Sequence, residues 1–369
     1  MDTATATTHE QELEPAYIPL YWKDKTSAAD HEQFEIDCSG MDLKDAGVVE
    51  QLSARMKRTF DKVGLLHLVN TSLEKLDDMR EIASLIVHNP MEYKGGANAR
   101  DGIVANVYET GAPKEAHLHY HHEMAYVSKS TSMLAFLCEH HVDNKGWSFV
   151  SDQVGLTKHI LTTPLGQKLK EKGLCYIRCL TDRDAYSNKD ESIVYNHWQK
   201  SFGVDTVEEV EVLAKERGLK CEWGVDPVHG ASGGRYLITR FYVSAFEYCP
   251  ATDSNIMYAS VADDAMWFDG WPGVKELPNY QRPLKLTFGD DTEFTQAEFR
   301  EWVDCYDMYG APIKWKTGDI AIVCNWRWAH GRPAYSLQGG ERRQLGVMLG
   351  ETFHRVQNLE GKWPELPVE

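Results

Sequence analysis

The stretch His117-Leu-His-Tyr-His-His-Glu-Met-Ala-Tyr126 decides how this chain is interpreted, because five of its first seven residues could bind a metal ion. On a β-strand, residues 117, 119, 121 and 123 would point to one face. Imidazole nitrogen and carboxylate oxygen together suit a borderline divalent metal such as iron or zinc. The pair His121-x-Glu123 can occupy neighbouring corners of one metal. Each remaining histidine of the stretch is expected to be an ordinary surface or core residue, since one short motif is only a hypothesis.

A third ligand must come from elsewhere, and the later stretch NWRWAHGRPAY supplies His330, with Arg342 and Arg343 following it. Two histidines and one carboxylate, with open positions left over, form the facial triad of non-haem Fe(II) oxygenases. A second register stays open, in which His119 and His121 bind the metal with Glu123, as in cupins, and His330 is structural. His140 and His141 follow a polar break and are expected in an exposed turn.

Composition limits the classes of function. The chain has 369 residues and a net charge of −17, which argues against a general nucleic-acid binder and against an anionic membrane surface. No apolar run approaches the roughly 20 residues that span a membrane, and the N-terminus does not resemble a signal peptide. The eight cysteines form no Cys-x-x-Cys pair. Reduced thiols and a cytoplasmic location are therefore expected, while the oligomeric state is left open.

Periodicity predicts where the helices lie. Apolar residues at spacings of three and four predict helices over residues 46–62 and 73–87. Thr206 and Glu209 form a capping-box pattern, and so do Thr295 and Glu298. Residues 1–15 are polar and are expected to be a disordered tail. No low-complexity linker interrupts the rest, so residues 16–369 are expected to form a single domain with a helical and loop insertion at about 155–235.

Strand patterns fill the remaining segments. Strands are predicted after Gly64, over much of 102–127, and over 135–138, 236–246, 318–328 and 343–349. Roughly 200 residues separate Glu123 from His330, and distant strands line one cavity in a jelly roll. The predicted fold is mainly β with α insertions: a double-stranded β-helix (jelly roll) core flanked by helices.

Six segments in a characteristic order carry a family resemblance that runs from roughly Gly95 to Gly350. The chain resembles the taurine dioxygenase and clavaminate synthase-like superfamily of Fe(II)/2-oxoglutarate-dependent oxygenases, and within it the syringomycin-biosynthesis-type members. The matching segments are GGANARDGIVANVYETGAP, YHHEMAYV, HWQKSFGVDTVEEVE, LTFGDDTEF, GDIAIVCNWRWAHGRPAYS and ERRQLGVMLG.

The resemblance implies roles for particular residues. His121, Glu123 and His330 would bind Fe(II), which with O2 decarboxylates the cosubstrate 2-oxoglutarate to succinate. Arg342 or Arg343 would grip the outer carboxylate of 2-oxoglutarate. Only one of them can point inward, because adjacent strand residues face opposite sides, and Arg342 is favoured. The family often places a threonine where Ser148 stands, and serine keeps the hydroxyl donor. Whether Arg332 adds a second anion contact stays open.

The expected reaction is oxidation of an unactivated C–H bond of a small, amino-acid-like metabolite in specialised-metabolite biosynthesis. Hydroxylation, desaturation and oxidative cyclisation are all compatible with a retained carboxylate ligand, whereas related halogenases lack it. Tyr126, Tyr108 and Asn106 lie near the metal stretch and are candidate substrate contacts. Two alternatives are a cupin-type metalloenzyme that does not use 2-oxoglutarate and a metabolite-binding barrel without catalysis.

Overall fold

The computed structural model of the protein describes residues 33–91, 102–110, 114, 117–185, 197–225, 235–261, 284–355 and 362–365. The predicted disordered tail over residues 1–15 lies outside these ranges. No helix in the described ranges is long and apolar enough to cross a membrane.

Two β-sheets pack face to face and enclose the centre of the molecule. The main sheet has seven strands in the order β1-β2-β15-β6-β17-β4-β3, and the small sheet has four in the order β14-β7-β16-β5. This arrangement is the predicted jelly roll. The strands are β1 (Glu35–Asp37), β2 (Leu65–Val69), β3 (Gly102–Val104), β4 (Val107–Glu109), β5 (Leu118–His121), β6 (Lys129–His140), β7 (Ser148–Asp152), β14 (Gly310–Ile313), β15 (Ile320–Cys324), β16 (Trp328–Arg332) and β17 (Gln344–His354).

Side-chain alternation along each strand separates the barrel interior from the outer face of the main sheet. In β6, Leu134, Phe136 and Cys138 join the interior cluster with Trp328 of the small sheet. Ala135 and Leu137 of the same strand pack on the outer face instead. Both faces of the main sheet are therefore apolar, and its strands read as almost continuous hydrophobic runs.

Two helices cover the outer face of the main sheet. Helix α1 (Ala46–Val63) begins at Asp45, whose carboxylate caps Val48, and ends at the left-handed Gly64, which confirms the predicted helix. Helix α2 (Leu76–Ala83) is shorter than the predicted 73–87. Its start is delayed because the amide of Leu73 donates to the Thr71 hydroxyl, 3.1 Å away, instead of entering a helix.

The segment predicted as a helical and loop insertion contains strands as well, which corrects that prediction. Four strands form a third sheet in the order β13-β8-β10-β9. The largely apolar sequence of β8 fits a helix and a strand equally well. Its hydrogen-bonded ladder with β10 shows that it is a strand. The strands are β8 (Leu174–Leu180), β9 (Lys220–Val225), β10 (Arg235–Val243) and β13 (Lys285–Phe288), and β11 (Phe246–Cys249) and β12 (Ser254–Met257) form a separate hairpin.

Within the described residues, five further helices surround the third and small sheets. Both predicted capping boxes are present, at Thr206 with Glu209 and at Thr295 with Glu298. The second opens a helix that buries Trp302 and Val303, as its spacing predicts. The helices are α3 (Gln153–Ile160), α4 (Pro164–Lys172), α5 (Trp198–Phe202), α6 (Val207–Glu216) and α7 (Gln296–Met308).

The strand predicted over residues 318–328 is two strands in different sheets. Strand β15 belongs to the main sheet and ends at Cys324, and β16 starts at Trp328 in the small sheet. The chain crosses between the sheets at 325–327, where the Asn325 amide donates to the carbonyl of Ser132 and that of Arg327 to the carbonyl of Cys324. This crossing carries the chain from the main sheet directly to His330.

Candidate metal centre

Three buried side chains converge inside the barrel from two neighbouring strands and one turn. His330 on β16 pairs directly with His121 on β5, and their ring centres are 4.3 Å apart. Glu123 places Oε2 3.7 Å from Nε2 of His330. Ligand atoms of all three residues lie within 4.8 Å of one another, and their exposures are only 9%, 3% and 5% for His121, Glu123 and His330. This separation is small enough for one metal ion to touch all three.

Glu123 does not lie on the strand that the alternating pattern predicted. Strand β5 ends at His121, and Glu123 begins a turn in which Met124 adopts a left-handed φ of 58°, an uncommon conformation for a residue other than glycine. The turn carries the carboxylate back towards the two imidazoles. The His-x-Glu spacing therefore brings both ligands together, but through a turn and not along one strand face.

Asn325 holds this turn in place, a role that the sequence analysis missed. Its Oδ1 accepts the amide of Glu123 at 2.9 Å. Its Nδ2 lies within donating distance of the carbonyls of Glu123, at 3.0 Å, and Thr131, at 2.7 Å. Tyr258 adds a hydroxyl that donates to the Glu123 carbonyl at 3.2 Å. The one sequence signal that could have indicated this role is the position of Asn325, an amide residue directly after the apolar run Ile320–Cys324.

Hydrogen bonding presents the imidazoles as ligands. Nδ1 of His121 lies 2.8 Å from the carbonyl oxygen of His119, so Nδ1 is the donor in this contact and Nε2 is the nitrogen suited to bind a metal. Nδ1 of His330 is buried without a hydrogen-bond partner among the described residues. Two imidazole nitrogens and one carboxylate oxygen, buried together, fit a divalent metal such as Fe(II).

The alternative register through His119 receives no support from this geometry. His119 is absent from the group of converging ligand atoms; its ring packs against His117 at 4.3 Å between centres. Burial lowers the pKa of His119 to about 3. His122 is also a core residue: Nδ1 lies 2.9 Å from the carbonyl oxygen of Ala259, and burial lowers its pKa to about 3.

The two arginines after His330 have different surroundings. Arg342 is exposed, and its guanidinium donates to the side chain of Gln344. Arg343 is partly buried, donates from Nε to the carbonyl of Gly146 at 2.7 Å, and has its pKa lowered by burial. Its guanidinium carbon is 5.2 Å from the centre of the Tyr335 ring, and that of the buried Arg332 is 5.0 Å from the same ring. Two guanidinium groups thus meet at one tyrosine near the end of β16.

Ser148 lies at the end of β7 that adjoins these arginines. Gly331 pairs with Phe149, so Ser148 and Arg332 follow one residue further along the two strands. The Ser148 hydroxyl accepts a hydrogen bond of 3.0 Å from the indole of Trp315, which leaves its own proton available for donation.

Aromatic rings connect this end of the barrel to the triad. The ring of Trp315 is 6.3 Å from that of Phe136, and Phe136 is 5.2 Å from His330. Ser148 is therefore linked to the metal ligands through two packed rings.

The three candidate substrate contacts occupy different places. Tyr126 is buried and lines a cavity. Tyr108, on β4, is partly buried against the barrel interior. Asn106 lies in the turn between β3 and β4 with a left-handed φ of 61°, a conformation that asparagine tolerates well.

His141, expected in an exposed turn, lies 3.0 Å from the hydroxyl of Thr317.

Comparison with known proteins places this arrangement in a family. A profile of the Taurine catabolism dioxygenase TauD, TfdA family matches residues 26–349, most of the chain. The protein belongs to this family and is an Fe(II)/2-oxoglutarate-dependent dioxygenase, which uses Fe(II), 2-oxoglutarate and O2 to oxidise a small molecule. Family membership favours this class over both alternatives considered from the sequence.

Individual relatives are distant. A clavaminate synthase-like protein of Arabidopsis thaliana is 25% identical over 262 residues, which cover 69% of this chain and 73% of that protein. A taurine dioxygenase from Burkholderia xenovorans has a TM-score of 0.47 at 13% identity, with 86% of this chain and 85% of that one covered. The structure of AAD-2 in complex with Mn(II) and N-oxalylglycine has a TM-score of 0.46 at 10% identity, with 88% and 95% covered.

Proposed function

We propose that His121, Glu123 and His330 hold the Fe(II) of this dioxygenase. The observation that carries the proposal is the convergence of their ligand atoms within 4.8 Å in a buried site. A metal held by these residues would supply the activation of O2 for oxidation of a substrate C–H bond, with 2-oxoglutarate as cosubstrate. The protein contributes three ligands on one face, and the surrounding apolar interior excludes bulk water from the reaction.

Arg343 is our assignment for the anchor of the outer carboxylate of 2-oxoglutarate, in place of the Arg342 favoured from sequence. Arg342 is exposed, whereas Arg343 is partly buried with Arg332 on the same tyrosine ring. A guanidinium offers a planar fork of donors that matches a carboxylate. The hydroxyl of Ser148 adds a neutral donor close to Arg332, and Arg332 adds a second positive charge.

The organic substrate we propose is a small, amino-acid-like metabolite of specialised biosynthesis, as in the syringomycin-type members that the sequence resembles. Glu123 fills the coordination position that chloride would need, so the product arises by hydroxylation, desaturation or oxidative cyclisation. Glutamate is one methylene longer than aspartate, which changes the placement of the metal relative to the substrate and keeps all three outcomes open.

The function is tested with purified protein, Fe(II) and 2-oxoglutarate under air, with succinate as the measured product. Succinate release without added substrate is expected, because uncoupled turnover needs only the cosubstrates. Candidate amino acids that increase the rate are then examined by product mass: a gain of one oxygen identifies hydroxylation and a loss of two hydrogens identifies desaturation or ring closure. No succinate above that of metal-free protein would refute the proposal, and a chlorinated product in chloride buffer would refute the role of Glu123.

We further propose that residues 16–369 form one catalytic domain that acts in the cytoplasm. Contacts between sequence-distant strands support the single domain, for example the pairing of β2 with β15 and of β6 with β17. None of the eight cysteines forms a disulfide, and seven of them are buried, as expected for a reducing compartment. The charge of −17 supports a small-molecule enzyme that binds neither nucleic acid nor anionic membranes.

A further inference from the structure

A cavity of about 780 Å³ lies between the main sheet and the third sheet. Its size falls within the roughly 300–1,000 Å³ typical of small-molecule sites. Met124 and Tyr126, which follow Glu123 by one and three residues, form part of its wall. A molecule in this cavity therefore contacts the same turn that carries the carboxylate ligand.

The wall of the cavity is basic although the protein is acidic. Lys129, Arg178 and Arg217 line it, and Glu216 is the one acidic residue among its described lining residues. Neither Lys129 nor Arg217 has a carboxylate within ion-pair distance in the described parts of the chain. In a chain with a net charge of −17, a positively charged concavity concentrates anions against the average field of the surface.

Arg178 is the deepest of these cations. It is 9% exposed, lies in the middle of β8, and pairs in register with Thr239 of β10, another buried residue of the cavity wall. Its guanidinium carbon lies 5.9 Å from the centre of the Tyr126 ring. A guanidinium has five N–H donors in one plane, and a carboxylate matches two of them in parallel.

The part of the wall next to Arg178 is aromatic. Tyr176, two residues before Arg178 on β8, meets Tyr126 edge to face, with 6.4 Å between ring centres. Phe241 of β10 pairs in register with Tyr176, and all three rings line the cavity. A flat apolar group fits such a wall, because aromatic rings prefer offset or edge-to-face contacts at these distances.

We propose that this cavity is the site of the organic substrate, and that the substrate is a carboxylate with an apolar, ring-sized body. Arg178 binds the carboxylate, and Tyr126, Tyr176 and Phe241 contact the body. The identification of the occupant as the substrate rests on the proposed function, whereas the binding of an aromatic carboxylate can be measured without turnover.

The test measures dissociation constants by calorimetry, using protein loaded with Mn(II) and N-oxalylglycine, which do not turn over. The probes are 3-phenylpropanoate, its primary amide and 2-phenylethanesulfonate. We expect the carboxylate to bind about 10-fold or more tightly than the amide, since a charge-assisted hydrogen bond contributes that much. Arg178→Gln should reduce carboxylate affinity roughly 10- to 100-fold and leave amide affinity nearly unchanged.

Arg240→Gln is the matched control. Arg240 lies on β10 between Thr239 and Phe241, is paired with Glu222 at 3.7 Å, and is absent from the cavity wall, so probe affinities should not change. Arg178→Lys keeps the charge without the fork and should give an intermediate affinity. If the Arg178 variants do not fold, the affinities of the carboxylate and the amide for the unaltered protein still test the proposal.

Three outcomes would overturn the proposal: equal binding of carboxylate and amide, tighter binding of the sulfonate, or no binding of any probe. Succinate release from 2-oxoglutarate is measured separately on the same unaltered protein. Succinate release without carboxylate binding would reject this cavity assignment and keep the proposed function. Carboxylate binding without succinate release would keep the carboxylate site in this cavity and reject the proposed function.

Discussion

Substitution of His330 is the sharpest test of the proposed metal ligands. We predict that His330→Ala loses metal binding and succinate formation, because two ligands from one short segment cannot replace the third from β16. Iron content and succinate are measured beside His119→Ala, which should retain both. Full iron occupancy and turnover in His330→Ala, with loss in His119→Ala, would establish the cupin-like register instead.

Arg343 and Arg342 form a natural matched pair for the cosubstrate. We predict that Arg343→Ala raises the 2-oxoglutarate KM by the equivalent of roughly 2–5 kcal/mol, as expected when one partner of a buried charge pair is removed. Arg342→Ala should change it by no more than about 0.5 kcal/mol, since that side chain is exposed. Steady-state kinetics with varied 2-oxoglutarate measures both. The reverse order of effects would restore the assignment favoured from sequence.

At the scale of elements, the turn after β5 depends on a side chain from the crossing between β15 and β16. We predict that Asn325→Ala weakens metal binding and destabilises the protein by about 1–3 kcal/mol, because it leaves buried amide and carbonyl groups of the turn unpaired. Gln153→Ala is the control: it removes another buried amide, which bonds Ser151 at 2.9 Å, without touching the turn. Equal metal affinities in the two variants would show that Asn325 only stabilises the fold.

A buried ion pair joins the end of β17 to β11. Arg355 donates to Glu247 at 2.8 Å and also to backbone carbonyls, among them that of Ala125 in the metal-bearing turn. We predict that Arg355→Met destabilises the protein by about 3–5 kcal/mol, because it removes the arginine partner of the buried Glu247 carboxylate. Adding Glu247→Met should recover part of that loss. Urea denaturation measures both, and a double variant less stable than the single one would contradict this explanation.

The sequence predicted an element well where nearby residues define its ends, and poorly where distant residues define it. The ends of α1 follow from Asp45 and Gly64, whose capping chemistry is local. The seven residues of β8, six of them apolar, have no such signal, and pairing with β10 and β13 makes them a strand. The position of Glu123 in a turn depends on Asn325, roughly 200 residues away, which no local pattern could indicate.

For the whole molecule, the metal should act as a cross-link between the first and last thirds of the chain. We predict that Mn(II) raises the melting temperature, because a ligand present at a hundredfold excess over its Kd stabilises the native state by about 2.7 kcal/mol. EDTA should reverse the shift, and His330→Ala should show none. An equal shift in that variant, measured by calorimetry, would mean that the ion binds elsewhere.

The sequence predicted the fold class and the converging triad better than the surroundings of the triad. The apolar strand runs, the roughly 200 residues between the two ligand segments and the family resemblance together predicted the jelly roll. The choice between Arg342 and Arg343 could not be made, because strand parity does not say which side of an unplaced strand faces inward. The basic cavity was also missed, since its cations come from β6, β8 and the loop after α6.

The two proposed histidine ligands and the arginine side of the cavity come from different parts of the architecture. His121 and His330 stand on one pair of neighbouring strands in the small sheet, whereas Arg178, Thr239 and Phe241 belong to the third sheet. Mutations in the third sheet can therefore accumulate while the chemistry at the iron persists. Such a division of labour allows evolution, or an engineer, to redirect one oxidising centre to new metabolites by exchanging a single layer of the protein.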